Sequence, residues 1–142
     1  MPLNFFAPKP GRFGTLPVAF GNRLNTGTLS AGTATHNLGG VPASAIINRA
    51  SCCAQTFPTA ATSCVATISK MTGATAVVLT DPLAINTQTA DTPLQFVFLT
   101  STTEAQRTLT TADSLRVTIV TTGSVSVQPD DVTVNVELLV KQ

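Results

Sequence analysis

The chain has 142 residues, which is enough for one domain with a hydrophobic core. It contains 25 Thr, no Trp and no Tyr, and charged residues make up only 11% of it, whereas about a quarter is usual in a soluble globular protein. Because Thr and Val favour pleated, half-buried surfaces, this composition predicts strands, and it argues against an ordinary highly charged monomer.

The few charges are divided unevenly along the chain. Residues 1–80 contain five basic residues and no acid, whereas residues 81–142 contain all seven acids and three basic residues. This asymmetry indicates contacts between complementary surfaces, and the basic residues are too scattered for a nucleic-acid patch. Since a weakly charged surface is buried at little desolvation cost, we expect a chain that works inside an assembly; a compact monomer with a Thr-rich surface is the alternative.

Residues 1–27 contain four prolines and four of the seven Phe. The prolines remove backbone donors and block a regular helix. They also interrupt the apolar run that a signal peptide requires. An extended aromatic segment cannot bury its rings on itself, so we predict an extended N-terminal arm over residues 1–27 that binds a neighbouring subunit; a tail packed on its own domain is the alternative. The predicted partner-binding residues are Phe5, Phe6, Lys9, Arg12, Phe13, Phe20 and Arg23.

Residues 28–142 form the predicted β-sandwich domain, because short alternating segments are separated there by turn residues. A Thr72-Gly73 turn between two such segments predicts a hairpin. The predicted strands cover residues 29–37, 43–50, 63–71, 74–80, 94–100, 115–121, 125–127 and 132–141.

About eight short strands with frequent turns predict an all-β fold, either an antiparallel β-sandwich or a jelly-roll-like body. The helical candidate at residues 101–112 contains many Thr, which are weak helix formers, and we expect a single turn or a loop there. No apolar stretch approaches the roughly 20 residues of a membrane span.

Side chains able to carry chemistry are few. His36 is the sole histidine, so it provides neither a metal cluster nor an acid–base pair by itself. A nucleophilic pair of His36 with a cysteine is conceivable, but Cys52, Cys53 and Cys64 stand in apolar, Thr-rich stretches, where thiols are more often inert. We therefore predict a protein that is not an enzyme and has no catalytic, cofactor or metal site.

The cysteines and the acidic pair Asp130 and Asp131 each allow two interpretations. Three cysteines do not make a closed disulfide framework, and although we expect free, buried thiols, a bridge from Cys64 to Cys52 or Cys53 would also fit. Asp130 and Asp131 follow a proline, and a solvated turn is favoured there over loose cation binding.

Residues 35–47 have the sequence Thr-His-Asn-Leu-Gly-Gly-Val-Pro-Ala-Ser-Ala-Ile-Ile. This segment resembles a pattern in bacteriophage structural proteins, in which a His, a Leu-Gly pair and a Pro precede a β-strand in small β-sandwich modules. The resemblance implies a structural rather than catalytic histidine. In the turn that we predict here, a glycine supplies a positive φ and the proline sets the exit. The residues of this predicted structural turn are His36, Leu38, Gly39, Gly40 and Pro42.

Two roles in a virion follow from the resemblance. A capsid decoration, or cement, protein is small, is often trimeric and spreads an arm over the major capsid protein, as the predicted arm would. A tail-fibre, neck or other tail structural or receptor-binding β-module is the alternative, although Trp and Tyr rings, which bind glycans by stacking, are absent from this chain. We therefore expect a virion decoration protein that binds the major capsid protein as a homo-oligomer, with a trimer favoured and without nucleic-acid or membrane partners.

Overall fold

A computed structural model describes residues 13–24, 26–40, 44–60 and 62–141, with side chains from residue 23 to residue 140 of these ranges. They contain twelve strands and one helical turn. The elements are β1 (Phe13–Arg23), β2 (Gly32–Gly40), β3 (Ala45–Cys53), β4 (Thr59–Ala60), β5 (Ser63–Thr72), β6 (Thr75–Val78), β7 (Leu83–Ala84), β8 (Leu94–Gln95), α1 (Glu104–Arg107), β9 (Thr108–Leu109), β10 (Asp113–Thr122), β11 (Val125–Val127) and β12 (Thr133–Lys141).

The strands pair antiparallel in two main sheets, which confirms the predicted all-β fold. Sheet A has the order β1-β12-β3, and β8 and β9 pair with different parts of the outer edge of β3. Sheet B has the order β2-β10-β5, and β6 and β7 share the outer edge of β5. A small ribbon of β4 and β11 accompanies them.

The core lies between the two sheets and is built from the alternating residues of their central strands. Side chains on a strand point alternately to opposite faces, so each central strand presents one apolar row to the other sheet. Six inward residues of β10 and β12 are at most 1% exposed and belong to one hydrophobic cluster: Leu115, Val117, Ile119, Val134, Val136 and Leu138. Burial of each such side chain stabilises the fold by about 1.5–3 kcal/mol. The same apolar alternation is the reason that the sequence predicts β10 and β12 clearly.

The predicted hairpin at Gly73 and the predicted single turn are confirmed. β5 and β6 pair from Thr72 and Thr75 onward, and Gly73 between them has a φ of +59°. The helical turn α1 begins at its N-cap Thr103, which forms a capping box with Gln106, and it ends after Arg107.

The strand predicted at residues 94–100 is wrong in its extent, because only Leu94 and Gln95 form β8. The amide of Phe96 donates to Ala50 of sheet A, whereas the amide of Leu99 donates to Leu79 beside sheet B, at 3.0 Å. The segment thus crosses from one sheet to the other, with Phe96 buried at this corner and Val97 63% exposed.

The turn predicted at residues 36–42 is replaced by a bulged strand. β2 continues through His36, Leu38, Gly39 and Gly40, while Pro42 lies outside the described residues. The pairing with β10 shifts register between Leu115 and Arg116, which leaves Leu38 as the extra, buried residue. The positive φ of Gly39, +95°, suits the bulge, because one common type of bulge places a glycine at a positive φ.

The boundary of the predicted arm also changes. Residues 13–23 form β1, which pairs with β12 in sheet A, with Phe20 opposite Val136 and Arg23 opposite Thr133. The second half of the predicted arm is therefore an edge strand in this chain, consistent with the alternative of a segment packed on its own domain. Residues 1–12, with Phe5, Phe6, Lys9 and Arg12, lie outside the described residues.

Candidate interaction surfaces

The outward surface of sheet B is nearly free of charge. We call this surface the sheet-B face. It comprises the outward positions of β2, β10, β5 and β6: Thr33, Thr35, Asn37, Ser114, Arg116, Thr118, Val120, Thr122, Ser63, Val65, Thr67, Ser69, Met71, Ala76 and Val78. Of these fifteen side chains, Arg116 alone carries a formal charge. Val78 and Val120 are 48% and 40% exposed, so solvent reaches apolar surface on two different strands.

Arg116 is an unusual feature of this face. Its side chain is half-buried, and its Nε atom is buried without a hydrogen-bond partner among the described residues. A buried donor without an acceptor costs free energy. The same side chain supplies the single formal charge of the sheet-B face.

The outward surface of sheet A carries a group of paired polar side chains on β3 and β12. Arg49 of β3 forms a salt bridge with Glu137 of β12, with Nη2 2.7 Å from Oε2, and its Nε donates to the same oxygen at 2.8 Å. The side chain of Asn48 donates to the other carboxylate oxygen, Oε1. The hydrogen bonds from Asn48 and Arg49 lower the pKa of Glu137. A cleft of about 310 Å³ lies beside this pair and includes Gln95 and Asn135.

A second polar region lies where β1 ends and β12 begins. The Nε of Arg23, an exposed residue, is 2.7 Å from Oδ1 of Asp131. The two residues line a cleft of about 420 Å³ together with Asp130, whose backbone pairs with Thr56. In the described part of the chain, no three His, Cys, Asp or Glu residues are grouped as a metal site would require. The carboxylate of Asp131 is engaged in an ion pair with Arg23.

The three cysteines are free thiols. Burial raises the pKa of Cys52 to about 12, with a smaller effect from the neighbouring Cys53. Burial also raises the pKa of Cys64, against the opposing effect of a 3.4 Å contact with the hydroxyl of Thr121. Such thiols are protonated at neutral pH and are poor nucleophiles.

The structure does not bring His36 to a cysteine. His36 lies opposite Val117 of β10, whereas Cys64 lies opposite Thr121, four residues further along the same strand. At about 3.3 Å per residue, this offset alone is roughly 13 Å. Cys52 belongs to the other sheet. The Nε2 atom of His36 is buried without a hydrogen-bond partner in the described ranges, and burial lowers its pKa.

A polar cluster around the buried Asp113 joins the two sheets where β10 begins, and the sequence interpretation missed it. Asp113 accepts hydrogen bonds from the hydroxyl of Thr72 and from the amide of Thr110, at 2.8 Å for the amide. Lys70, close enough to act on Asp113 electrostatically, donates to the carbonyl of Thr108 in sheet A. Burial raises the pKa of Asp113, but the hydrogen bonds outweigh it and the net pKa is lowered. The turn residues before β10 are the sequence feature that could have indicated this cluster.

Comparison of the chain with protein-family models, with curated proteins and with solved structures finds no match. Among the described residues, no helix has the length and apolar character needed to cross a membrane. The surfaces described above are therefore the basis for a functional proposal.

Proposed function

We propose that the chain is a decoration protein of a bacteriophage capsid, which binds the outer surface of the major capsid protein shell and stabilises the head. The observation that carries this proposal is the sheet-B face, a broad strand surface with a single charge. The link to bacteriophages rests on the resemblance of residues 35–47 to virion β-modules. A protein that binds the assembled shell but not its separate subunits stabilises the shell by mass action.

The size of the sheet-B face suits such a contact. The strands β2, β5 and β10, of nine or ten residues, and the four-residue β6 together cover about 500 Å², from ordinary strand spacing and rise. A standard protein interface buries about 800 Å² on each partner. The face therefore supplies most of a standard contact, and additional contacts from the arm, including Phe5, Phe6, Lys9 and Arg12, would complete it.

The chemistry of the face also limits the partner. Thr and Ser side chains carry no formal charge and are covered at small cost, whereas the charged guanidinium of Arg116 favours an acceptor on the partner. We expect the shell to present a carboxylate or a carbonyl oxygen opposite Arg116 within an otherwise uncharged, strand-compatible patch. The polar surface of sheet A, where Arg49 and Glu137 already pair, would face outward.

Binding to undecorated phage heads tests the proposal. Thr118→Lys places an unpaired charge at the centre of the sheet-B face, and Thr133→Lys places the same charge on the outward surface of sheet A; both threonines are half-buried. We expect Thr118→Lys to weaken co-sedimentation with heads at least about tenfold, the equivalent of about 1.4 kcal/mol, while Thr133→Lys binds as the unchanged chain does. Absence of head binding by the unchanged chain, or labelling at the tail end, would reject the proposal.

The contribution of the arm requires a deletion that spares sheet A. Because β1 begins at Phe13, removal of residues 1–12 leaves every described strand intact, whereas removal of residues 1–20 would also remove most of β1. We expect the shorter deletion to reduce head occupancy while circular dichroism keeps its β spectrum. Full occupancy by the deletion variant would show that the arm does not bind the shell.

A further inference from the structure

The four edges of the two sheets are protected to different degrees. An exposed strand edge presents unpaired N–H and C=O groups that can pair with another chain, and proteins usually block such edges with short strands, prolines, charges or bulges. In sheet A, the edge beyond β3 is covered by β8 and β9, which have two residues each. In sheet B, the edge beyond β5 is covered by β6 and β7, of four and two residues.

The β1 edge of sheet A is blocked in another way. β1 contains Pro17, which has no backbone donor, and its pairing with β12 shifts register between Phe13 and Pro17. The same strand ends at the charged residue Arg23. Three of the four edges are thus short or interrupted.

The fourth edge, β2, lacks these protections over most of its length. Residues 32–37 are paired with β10 in continuous register, and they include neither a proline nor a charged side chain at neutral pH. Within the described residues, β2 pairs with β10 alone, so its other side is open. Thr33, Thr35 and Asn37 are exposed along it.

We propose that β2 is a strand-pairing edge through which two copies of this chain join, so that sheet B continues from one copy into the other. The inference is independent of the proposed capsid function. A second copy is the occupant that the charges favour, because residues 32–37 are neutral and two such strands meet without repulsion. A charged extended peptide would gain no complementary charge at this edge.

An antiparallel pairing of β2 with β2 of the second copy is a two-fold arrangement, in which each strand makes the same contacts. Its outward side brings together residues such as Thr33, Thr35 and Asn37 of the two copies, and paired threonines stabilise antiparallel strands. The paired edge joins the two sheet-B faces into one surface of twice the width. This contact makes a dimer, so the homotrimer expected from the resemblance would need another surface.

The expected strength is modest. Six paired residues give about six backbone hydrogen bonds, within the range of about 10 ± 5 for a typical interface. The edge buries less area than a standard interface, which is typical of weak, reversible contacts. We therefore expect the dimer fraction to rise with protein concentration across the micromolar range.

Light scattering coupled to size-exclusion chromatography tests the pairing on the full chain. Thr35→Lys places two like charges at the paired edge, whereas Thr118→Lys, on the same face but in the central strand β10, is the matched control. We expect Thr35→Lys to raise the dissociation constant at least about tenfold, as like charges opposite each other on paired strands are destabilising, and Thr118→Lys to leave it unchanged. Circular dichroism verifies that both variants are folded.

A second measurement maps the edge directly. In a Cys53→Ser background, single cysteines at positions 33, 35 and 37 should form a disulfide between copies at the position nearest the two-fold axis. A monomer at every concentration, or equal loss of the dimer in Thr35→Lys and Thr118→Lys, would overturn the inference. Since head binding is measured separately, a monomer that still decorates heads would overturn the edge pairing alone.

Discussion

Cys52, Cys53 and Cys64 differ in burial, and this difference should decide their reactivity. Cys52 and Cys64 are buried with raised pKa values, whereas Cys53 is half-buried beside a cleft of about 330 Å³. We expect one thiol to react with a thiol-specific reagent in the folded protein at neutral pH, and all three in denaturant. Mass spectrometry should locate the label on Cys53, and Cys53→Ser should abolish rapid labelling. Rapid labelling of Cys52 would contradict the described packing of β3.

His36 should make stability depend on pH in a defined range. Burial lowers the pKa of His36 below its ordinary value of 6.5, so between these two values the unfolded chain binds a proton that the folded chain does not. Stability therefore falls as the pH decreases below about 6.5, because protonation favours the unfolded state. Denaturant unfolding at a series of pH values from neutral to mildly acidic should reveal this loss.

The matched control for His36 is His36→Gln, which does not titrate. The variant should show a flatter profile near pH 6. The carboxylates act in a different range, because the lowered pKa values of Asp113 and Glu137 preserve their contributions until the pH falls below ordinary values of 3.8 and 4.5. An identical pH profile for His36→Gln and the unchanged chain would show that another group causes the dependence.

At the scale of elements, Asp113 should be the polar residue whose loss weakens the sandwich most. It begins β10 and holds both the end of β5, through Thr72, and the preceding turn, through Thr110. Asp113→Ala removes an acceptor from several donors, which should lower the free energy of unfolding by about 2 kcal/mol. Glu137→Ala is the comparison, since Glu137 pairs with the exposed side chain of Arg49 and exposed ion pairs contribute little. Equal losses in chemical denaturation would contradict this difference.

The alternation of apolar and polar residues predicts the strands that have one face on the core and the other in solvent. β10 and β12 alternate because one side meets the core and the other solvent, and Gly73 predicted its hairpin because a positive φ is required there. The extent of β8 was not predictable locally, since Phe96 and Phe98 are apolar at a corner between the sheets. The sequence predicts a turn where the structure has the bulge at Leu38, because glycines are favoured in both conformations.

At the scale of the whole molecule, strand partners were beyond the reach of local sequence patterns. β12 is central in sheet A because it lies between β1 and β3, and β10 is central in sheet B between β2 and β5. These pairings join segments far apart in the chain, and alternation is the same for a central strand and an edge strand. Local sequence patterns therefore indicate only two residues of the sheet-B face, Arg116 and Thr118, which alternate with the apolar residues of β10. For the same reason, the sequence of β1 is compatible with an extended arm as well as with an edge strand.

The central position of β12 makes the last strand essential to the whole sandwich. A chain ending at Asp131 would lose four core side chains, Val132, Val134, Val136 and Leu138, each at most 3% exposed. Their burial contributes roughly 6–12 kcal/mol in total, comparable to the entire stability of a typical domain at about 5–15 kcal/mol. We expect this truncated chain to show no cooperative thermal transition, whereas deletion of residues 1–12, which precede β1, should preserve the transition. A truncated chain that still unfolds cooperatively would mean that sheet A holds together without the strand that joins β1 to β3.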